Sequence, residues 1–186
     1  MELRIPAQHP RLERAVLWPT LRRPACHVTL VVGPPGAGKT TWCAQQTPPF
    51  DTVIDLDVLI AECTGLPLYT RRTPADLELG LVERNRRLEQ LADTPHDRRA
   101  AVIVGAPGWQ FRWWREALRP KRVEIVRASF SESERRLRAD PQRREQLDRH
   151  LAALADWWRI EQQHLMRRQQ QASDSAGRIG DDFGAW

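Results

Sequence analysis

Short apolar runs alternate with longer amphipathic segments along the chain. The runs at 28–32, 52–54 and 101–104 contain few polar residues and predict buried strands, and a fourth strand is predicted at 122–126. The intervening segments carry leucines and tryptophans at helical spacing, which predicts helices. Strands that alternate with helices predict an α/β fold, a three-layer sandwich whose mostly parallel sheet has helices on both faces.

The second half of the chain ends in one long predicted C-terminal helix. From 141 to about 171 nothing breaks the pattern, and apolar side chains fall on one face at Leu147, Leu151, Leu154, Trp158 and Leu165. Residues 172–186 are polar and contain glycine, so we expect a flexible tail there. The proline-containing residues 1–26 predict an N-terminal extension, which leaves 27–171 as a single domain.

Composition narrows the class of protein. No segment approaches about 18 consecutive apolar residues and the first six residues form no apolar stretch, so neither a membrane span nor a secretory signal is expected. Cys26, Cys43 and Cys63 lack metal-type spacing and are expected to be reduced thiols of a cytoplasmic protein. The net charge of +5 is uneven, since residues 98–171 carry about +8. This basic half fits nucleotide phosphates, a phosphorylated substrate or nucleic acid as partners, and the alternative is that its arginines only solvate the outer faces of helices.

The most specific motif follows the first predicted strand, where residues 33–40 are G-P-P-G-A-G-K-T. Glycines in this loop permit positive φ angles and close approach of the backbone to a ligand, so that its N–H groups form an anion nest. Lys39 is placed to reach the β- and γ-phosphates, and the Thr40 hydroxyl to hold Mg²⁺. The expected phosphate-binding residues are Gly33, Pro34, Pro35, Gly36, Ala37, Gly38, Lys39, Thr40 and Thr41.

Two aspartates follow the second predicted strand. Asp55 and Asp57 are one pleat apart, and this spacing predicts that both carboxylates point the same way. One can then orient Mg²⁺ or its waters while the other accepts a proton from a substrate hydroxyl. The alternative is that one of them only caps the following helix.

These two motifs resemble the small P-loop kinases, above all the shikimate-kinase-like and gluconate-kinase-like group, in which the loop is followed by D-x-D-x-x-I-x-x-x-T-G. The second pattern is matched by Asp55, Asp57, Ile60, Thr64 and Gly65. The first half is also similar to phage-type ATPases with a GPPGAGKTT loop, an IDLD strand and a third strand ending in GAP. The resemblance covers roughly 28–160 and implies a P-loop NTPase fold that binds ATP and Mg²⁺.

The resemblance also implies roles for single residues. Lys39, Asp55 and Asp57 would be catalytic, with Asp55 and Thr40 near the metal. Lid arginines cover the phosphates in these kinases, and we expect Arg136 to act so, within the set Arg135, Arg136, Arg138, Arg143 and Arg144. The turn at 105–108, G-A-P-G, departs from the G-G-G of shikimate kinases, so shikimate is not implied as the acceptor. Four arginines could bind the acceptor, and the spacing does not select among them: Arg71, Arg72, Arg84 and Arg112.

The third predicted strand ends without a carboxylate, whereas motor ATPases usually end it in Asp or Asp-Glu. This favours an ATP-dependent phosphotransferase with a small hydroxyl- or phosphate-bearing acceptor, nucleosides and nucleotides included. Two alternatives stay open: a phage-type NTPase with a nucleic-acid or assembly role, and a non-catalytic nucleotide-binding module. The tryptophan pairs at 113–114 and 157–158 are expected to pack in the core rather than to stack on bases.

Overall fold

The computed structural model describes residues 14–105 and 108–180. Its strands are β1 (His27–Val32), β2 (Thr52–Asp55), β3 (Arg99–Val104) and β4 (Arg122–Ile125). Its helices are α1 (Arg14–Leu17), α2 (Lys39–Ala44), α3 (Leu56–Thr64), α4 (Pro74–Gln90), α5 (Trp109–Leu118), α6 (Phe130–Ala139) and α7 (Leu147–Gly180), with a 3₁₀ turn at Pro141–Gln146. Within this part of the chain, no helix combines the length and apolar character that a membrane span needs.

The described strands form an all-parallel sheet in the order β2-β3-β1-β4. Val32 of β1 is level with Val104 of β3 and with Ile125 of β4, so the carboxyl ends of these strands meet at one edge. The chain leaves β1 toward β2 on one side and later crosses to β4 on the other side. A crevice for a ligand is expected at this edge beside β1, as in other open α/β sheets.

Alternate residues of the strands face two helical layers. On one face, Leu30 of β1 and Val102 of β3 are buried in a core shared with α3, α4 and α5. On the other face, Val31 and Ile103 pack with Cys43 of α2. The predicted three-layer α/β sandwich is confirmed, and the free thiol of Cys43 is buried as a core residue.

Helix α4 lies very close to α3. It begins with a capping box, in which Thr73 Oγ1 accepts a hydrogen bond from the Asp76 N–H and Asp76 Oδ2 accepts one from the Thr73 N–H, and Pro74 is its first residue. A Cβ placed on Gly80 would overlap Ile60 Cγ1 and lie 3.3 Å from Ile60 Cα. The absence of a side chain at Gly80 therefore permits the close crossing of the two helices.

Helix α7 departs from its predicted bounds at both ends. It begins at Leu147 rather than 141, because Asp140 first caps a 3₁₀ turn. It continues to Gly180, so residues 172–180 of the predicted tail are helical, whereas 181–186, like 1–13 of the predicted extension, lie outside the described residues. The prediction that the apolar face is buried is confirmed at Leu154 and wrong at Leu165, which is 48% exposed. Helix α7 packs against α6 and the 3₁₀ turn, and Leu165 lies beyond the part of α7 that they cover.

Candidate active site

A cavity of about 660 Å³ lies at the carboxyl ends of the strands. Two predicted segments line it, the loop after β1 and the aspartates after β2, and so does Gly105 after β3. The segment that follows β4 contributes no residue to the lining before Arg136 of α6, and residues 106–107 lie outside the described part of the chain. Further lining residues come from the other elements: Leu17, Trp18, Tyr69, Leu77, Leu81, Arg84, Gln110, Trp114, Arg136, Leu137, Asp140, Arg143 and His150.

The glycines of the loop serve two different needs. Gly36 and Gly38 have φ angles of 77° and 93°, the left-handed region that favours glycine. Gly33 was expected to share this conformation but is required for close approach, since a Cβ there would lie 2.5 Å from the Val126 carbonyl oxygen. A Cβ on Gly36 would also lie 2.7 Å from the Ser133 carbonyl oxygen, so the loop is in direct contact with α6.

The Lys39 ammonium is folded under its own loop. Nζ donates hydrogen bonds to the carbonyl oxygens of Gly33 at 2.8 Å and Pro34 at 2.9 Å. Burial lowers the pKa of Lys39 to about 8, although the charges of Asp55 and Asp57 act in the opposite direction. The ammonium is therefore held by neutral acceptors at a place where a phosphate can replace them.

Asp55 caps α3 and also contacts Thr40 of the loop. Its Oδ1 accepts the Asp57 N–H at 3.1 Å and so caps α3, while Thr40 Oγ1 donates to its Oδ2 at 3.2 Å. Burial raises the pKa of Asp55, and the charge of Asp57 adds to this rise. A hydroxyl beside a carboxylate is an oxygen donor set that suits Mg²⁺, which takes its remaining ligands from phosphates and water. Within 14–105 and 108–180 no cluster of three His, Cys, Asp or Glu side chains that could hold a metal ion occurs.

Asp57 lies on α3 and not on the strand, so the pleat spacing that predicted two parallel carboxylates is wrong as a reason. Leu56 already begins the helix, because Asp55 caps it. Asp57 nevertheless lines the same cavity, and its Oδ1 accepts a hydrogen bond from Arg72 Nη1 at 2.6 Å. The two carboxylates are brought together by a strand end and a helical first turn.

Two of the five lid candidates line the cavity. Arg136 Nη1 donates to the Ala37 carbonyl at 3.0 Å, and its other end pairs with Glu132. The Arg143 guanidinium lies 3.5 Å from the centre of the Tyr69 ring and pairs with Asp140 at 3.0 Å. The remaining three are exposed and do not line the cavity: Arg135, Arg138 and Arg144.

The structure also selects among the four candidates for binding the acceptor. Arg84 lines the cavity, and Arg72 reaches it through its pair with Asp57. Arg112 is paired with Glu116 on the surface, and Arg71 is exposed. Nothing in the motif spacing distinguished these residues, because helix packing and the path of the loop before α4 decide which of them faces inward.

Sequence reasoning missed the wall formed by Tyr69 and His150, whose rings meet edge-on at 5.6 Å. Burial lowers the pKa of His150, and the charge of Arg143 acts in the same direction, so both favour the neutral imidazole. Its buried Nε2 has no hydrogen-bond partner among the described residues. Tyr69 has a φ of 63°, and no local pattern in the sequence indicates this turn.

The comparison with known families agrees with this geometry. A family model described as an AAA domain, AAA_33, matches residues 28–164, well over half of the 186 residues. No curated protein matches the chain. The matched range begins in β1, includes the phosphate-binding loop and both aspartates, and ends within α7. The chain therefore belongs to the AAA_33 family of AAA domains and is a nucleotide-binding P-loop NTPase.

Proposed function

We propose that the protein is an ATP-dependent phosphotransferase that transfers the γ-phosphoryl group to a hydroxyl of a small acceptor. The observation that carries this proposal is the extent of the cavity. It continues past the loop and Asp57 into a chamber between α1, α4 and α5, walled by Leu17, Leu81 and Trp114. Hydrolysis needs room for one water molecule, whereas this cavity of about 660 Å³ extends to Leu17, Leu81 and Trp114, which belong neither to the loop nor to the aspartate segment.

The loop residues bind the triphosphate in this proposal. Lys39 leaves the Gly33 and Pro34 carbonyls and pairs with the phosphates, while Thr40 and Asp55 hold Mg²⁺. Bound there, the ion neutralises negative charge on the phosphates. Arg136 and Arg143 line the same cavity and stabilise the charge of the group in transfer.

Asp57 acts on the acceptor. Its Oδ1 is held by Arg72, and no hydrogen bond between described residues uses its Oδ2. The acceptor hydroxyl donates its proton to this oxygen as the new bond from the hydroxyl oxygen to the γ-phosphorus forms. The bond from the γ-phosphorus to ADP breaks, and ADP leaves with that electron pair.

The end of β3 supports transfer over hydrolysis. The strand ends at Val104, and the next residues, Gly105, Ala106 and Pro107, include no acid. The carboxylate with which motor ATPases hold Mg²⁺ and activate water therefore has no counterpart at this position. Catalysis then depends on positioning and charge neutralisation.

Labelled phosphate transfer tests the proposal. Protein with Mg²⁺ and γ-labelled ATP is offered pooled nucleosides, nucleotides, sugars, small hydroxy acids and oligonucleotides. Asp57→Asn should lower transfer to the accepted compound by roughly a hundredfold or more, because the general base is lost, while ATP affinity by calorimetry stays within about twofold.

Glu62→Gln is the matched control, because Glu62 is also a carboxylate on α3 paired with an arginine, Arg87, and does not line the cavity. It should retain full transfer. ATP binding without transfer to any compound would indicate a binding module instead. ATP hydrolysis that rises with DNA or RNA and falls with salt would indicate the nucleic-acid role.

A further inference from the structure

The chamber beyond Asp57 contains a buried cation. Its walls are largely apolar, with Leu77, Leu81 and Trp114 among the residues that line it. Arg84 enters this lining from α4 and is only 8% exposed. A charged side chain at this depth needs a physical reason, because transfer of a charge out of water is costly unless it is paired.

Every described partner of the Arg84 guanidinium is neutral. Nη2 donates to the carbonyl oxygens of Val16 at 3.2 Å and Leu17 at 3.0 Å, and both Nε and Nη2 donate to Asn85 Oδ1. The guanidinium carbon lies 5.4 Å from the centre of the Trp114 ring. Within 14–105 and 108–180 no carboxylate pairs with Arg84, and no hydrogen bond uses its Nη1.

A tether for α1 explains only part of this arrangement. The bonds to Val16 and Leu17 join α1 to α4, and Asn85 Nδ2 adds a third bond to Val16 at 2.9 Å. A neutral amide could make such bonds without bringing a charge into the core. The tether therefore accounts for Nη2, whereas neither the positive charge nor Nη1 has a partner of opposite charge or a hydrogen-bond acceptor among the described residues.

The described surroundings of Arg84 leave its guanidinium protonated and provide no carboxylate to neutralise it. Burial lowers the pKa of Arg84 to about 10, so the side chain is still protonated at pH 7. Neutral groups fix the plane of the guanidinium in advance of any ligand. A fixed guanidinium in a dry site binds carboxylate or phosphate oxygens strongly and with little loss of side-chain entropy.

We propose that Arg84 binds an anionic group, carboxylate or phosphate, on the phosphoryl acceptor, whose apolar or ring-shaped body packs between Leu81 and Trp114. The inference rests on the proposed function, since it requires that the acceptor enters this chamber. It names the substrate class as small hydroxy acids or hydroxyl-bearing phosphate esters. The hydroxyl lies toward Asp57 and the anion toward α4.

Binding of matched compounds tests this inference. The nucleotide site is first saturated with Mg²⁺ and a non-hydrolysable ATP analogue, so that added anions cannot occupy the loop. Calorimetry then compares 4-hydroxybenzoate with 4-hydroxybenzyl alcohol, and a nucleoside 5′-monophosphate with its nucleoside. The anionic member of at least one pair should bind about tenfold or more tightly than its neutral partner, and the pair that responds distinguishes carboxylate from phosphate.

Substitutions on α4 test whether Arg84 is the residue that binds the anionic group. Arg84→Gln retains a donor for the α1 carbonyls but removes the charge, and should weaken the anionic compound by about 10- to 100-fold. Arg84→Lys should retain part of that affinity. Arg87→Gln is the control, because Arg87 lies on the same helix, is paired with Glu62 and Glu83, and does not line the cavity.

Equal binding of neutral and anionic partners, no binding of any anionic compound, or unchanged affinity in Arg84→Gln would overturn the inference. The comparison within wild-type protein does not depend on the folding of any variant. If ATP itself fails to bind, the proposed function fails first. If ATP binds and labelled phosphate reaches only neutral acceptors, the phosphotransferase stands and the role of Arg84 is wrong.

Discussion

Carbonyl oxygens of the phosphate-binding loop occupy the hydrogen-bond donors of the Lys39 ammonium. Two backbone carbonyls, those of Gly33 and Pro34, accept its hydrogen bonds where phosphate oxygens would do so in a nucleotide complex. Burial disfavours the charged form, and the resulting pKa of about 8 is close to neutral pH. A triphosphate reverses the balance, because a nearby negative charge favours the protonated amine. Nucleotide binding and protonation of this residue are therefore linked.

This linkage predicts a pH dependence of ATP affinity. Below about pH 7 Lys39 is charged in free and bound protein, and affinity should be level. Above its free pKa of about 8 the amine must take up a proton on binding, so affinity should fall by up to about tenfold per pH unit until the higher pKa of the complex is reached. Calorimetry at saturating Mg²⁺ from pH 6.5 to 9.5 measures this profile.

Lys39→Arg separates this effect from other titrations, because arginine stays charged throughout the range. The Lys39→Arg protein is expected to bind ATP more weakly than the wild type, with an affinity that does not change between pH 6.5 and 9.5. A wild-type affinity that does not change up to pH 9.5 would contradict the linkage, either because the pKa of free Lys39 is not lowered or because its amine does not contact the nucleotide.

At the scale of elements, the crossing of α3 and α4 positions Asp57 and Arg84 in the lining of the cavity. Asp57 lies in the first turn of α3, and Arg84 is one helical turn beyond Gly80 on α4. Gly80 is where α4 touches Ile60, whose side chain is 1% exposed and has no free space to move into. Helices α3 and α4 can therefore approach this closely because Gly80 has no side chain.

Gly80→Ala should destabilise the protein. The new methyl overlaps Ile60, which costs about 1–3 kcal/mol, while the gain in helix propensity returns at most about 1 kcal/mol. The free energy of unfolding in urea should fall by about 1–2 kcal/mol. Glu78→Ala, an exposed change on the same helix, should have little effect.

Ile60→Ala combined with Gly80→Ala removes the obstructing atoms, so the two changes together should cost less than their sum. Strict additivity, or a Gly80→Ala protein as stable as the wild type, would mean that the close crossing does not constrain the helices.

At the scale of the whole molecule, the site joins segments that are distant along the chain. The loop follows β1, Asp55 ends β2, Gly105 follows β3, and Arg136 lies on α6 more than ninety residues after the loop that it contacts. The all-parallel sheet brings these segments to one edge. A ligand that bridges them can bind only the folded chain.

ATP with Mg²⁺ should therefore stabilise the fold. At a ligand concentration about 100 times the dissociation constant the gain is about 2.7 kcal/mol, which raises the melting temperature by roughly 5–10 °C for a chain of this size. Thermal unfolding at increasing nucleotide concentration measures the shift. Lys39→Ala should lose most of it; a shift of the same size in that variant would mean that the nucleotide binds away from the loop.

Local chemistry made parts of this site predictable. The loop depends on glycines at set positions after an apolar strand, and Gly36 and Gly38 adopt the expected positive φ angles. A metal-side role and a capping role were alternatives for the two aspartates; the structure shows that Asp55 caps α3 through the N–H of Asp57 and also accepts a hydrogen bond from Thr40. Asp57 was expected beside Asp55 for the wrong geometric reason, since helix α3 already begins at Leu56 and Asp57 therefore does not lie on an extended strand.

The sequence by itself determined the α/β class, the phosphate-binding loop and the carboxylates beside it, because each depends on backbone conformation within a few neighbouring residues. Only the tertiary structure decided which arginines face the cavity and that His150 and Tyr69 form its wall. Those choices depend on how α4, α6 and α7 pack against elements distant in the chain. An arginine on a helix surface looks the same in sequence whether its neighbour is solvent or, as for Arg84, the carbonyls of a preceding helix.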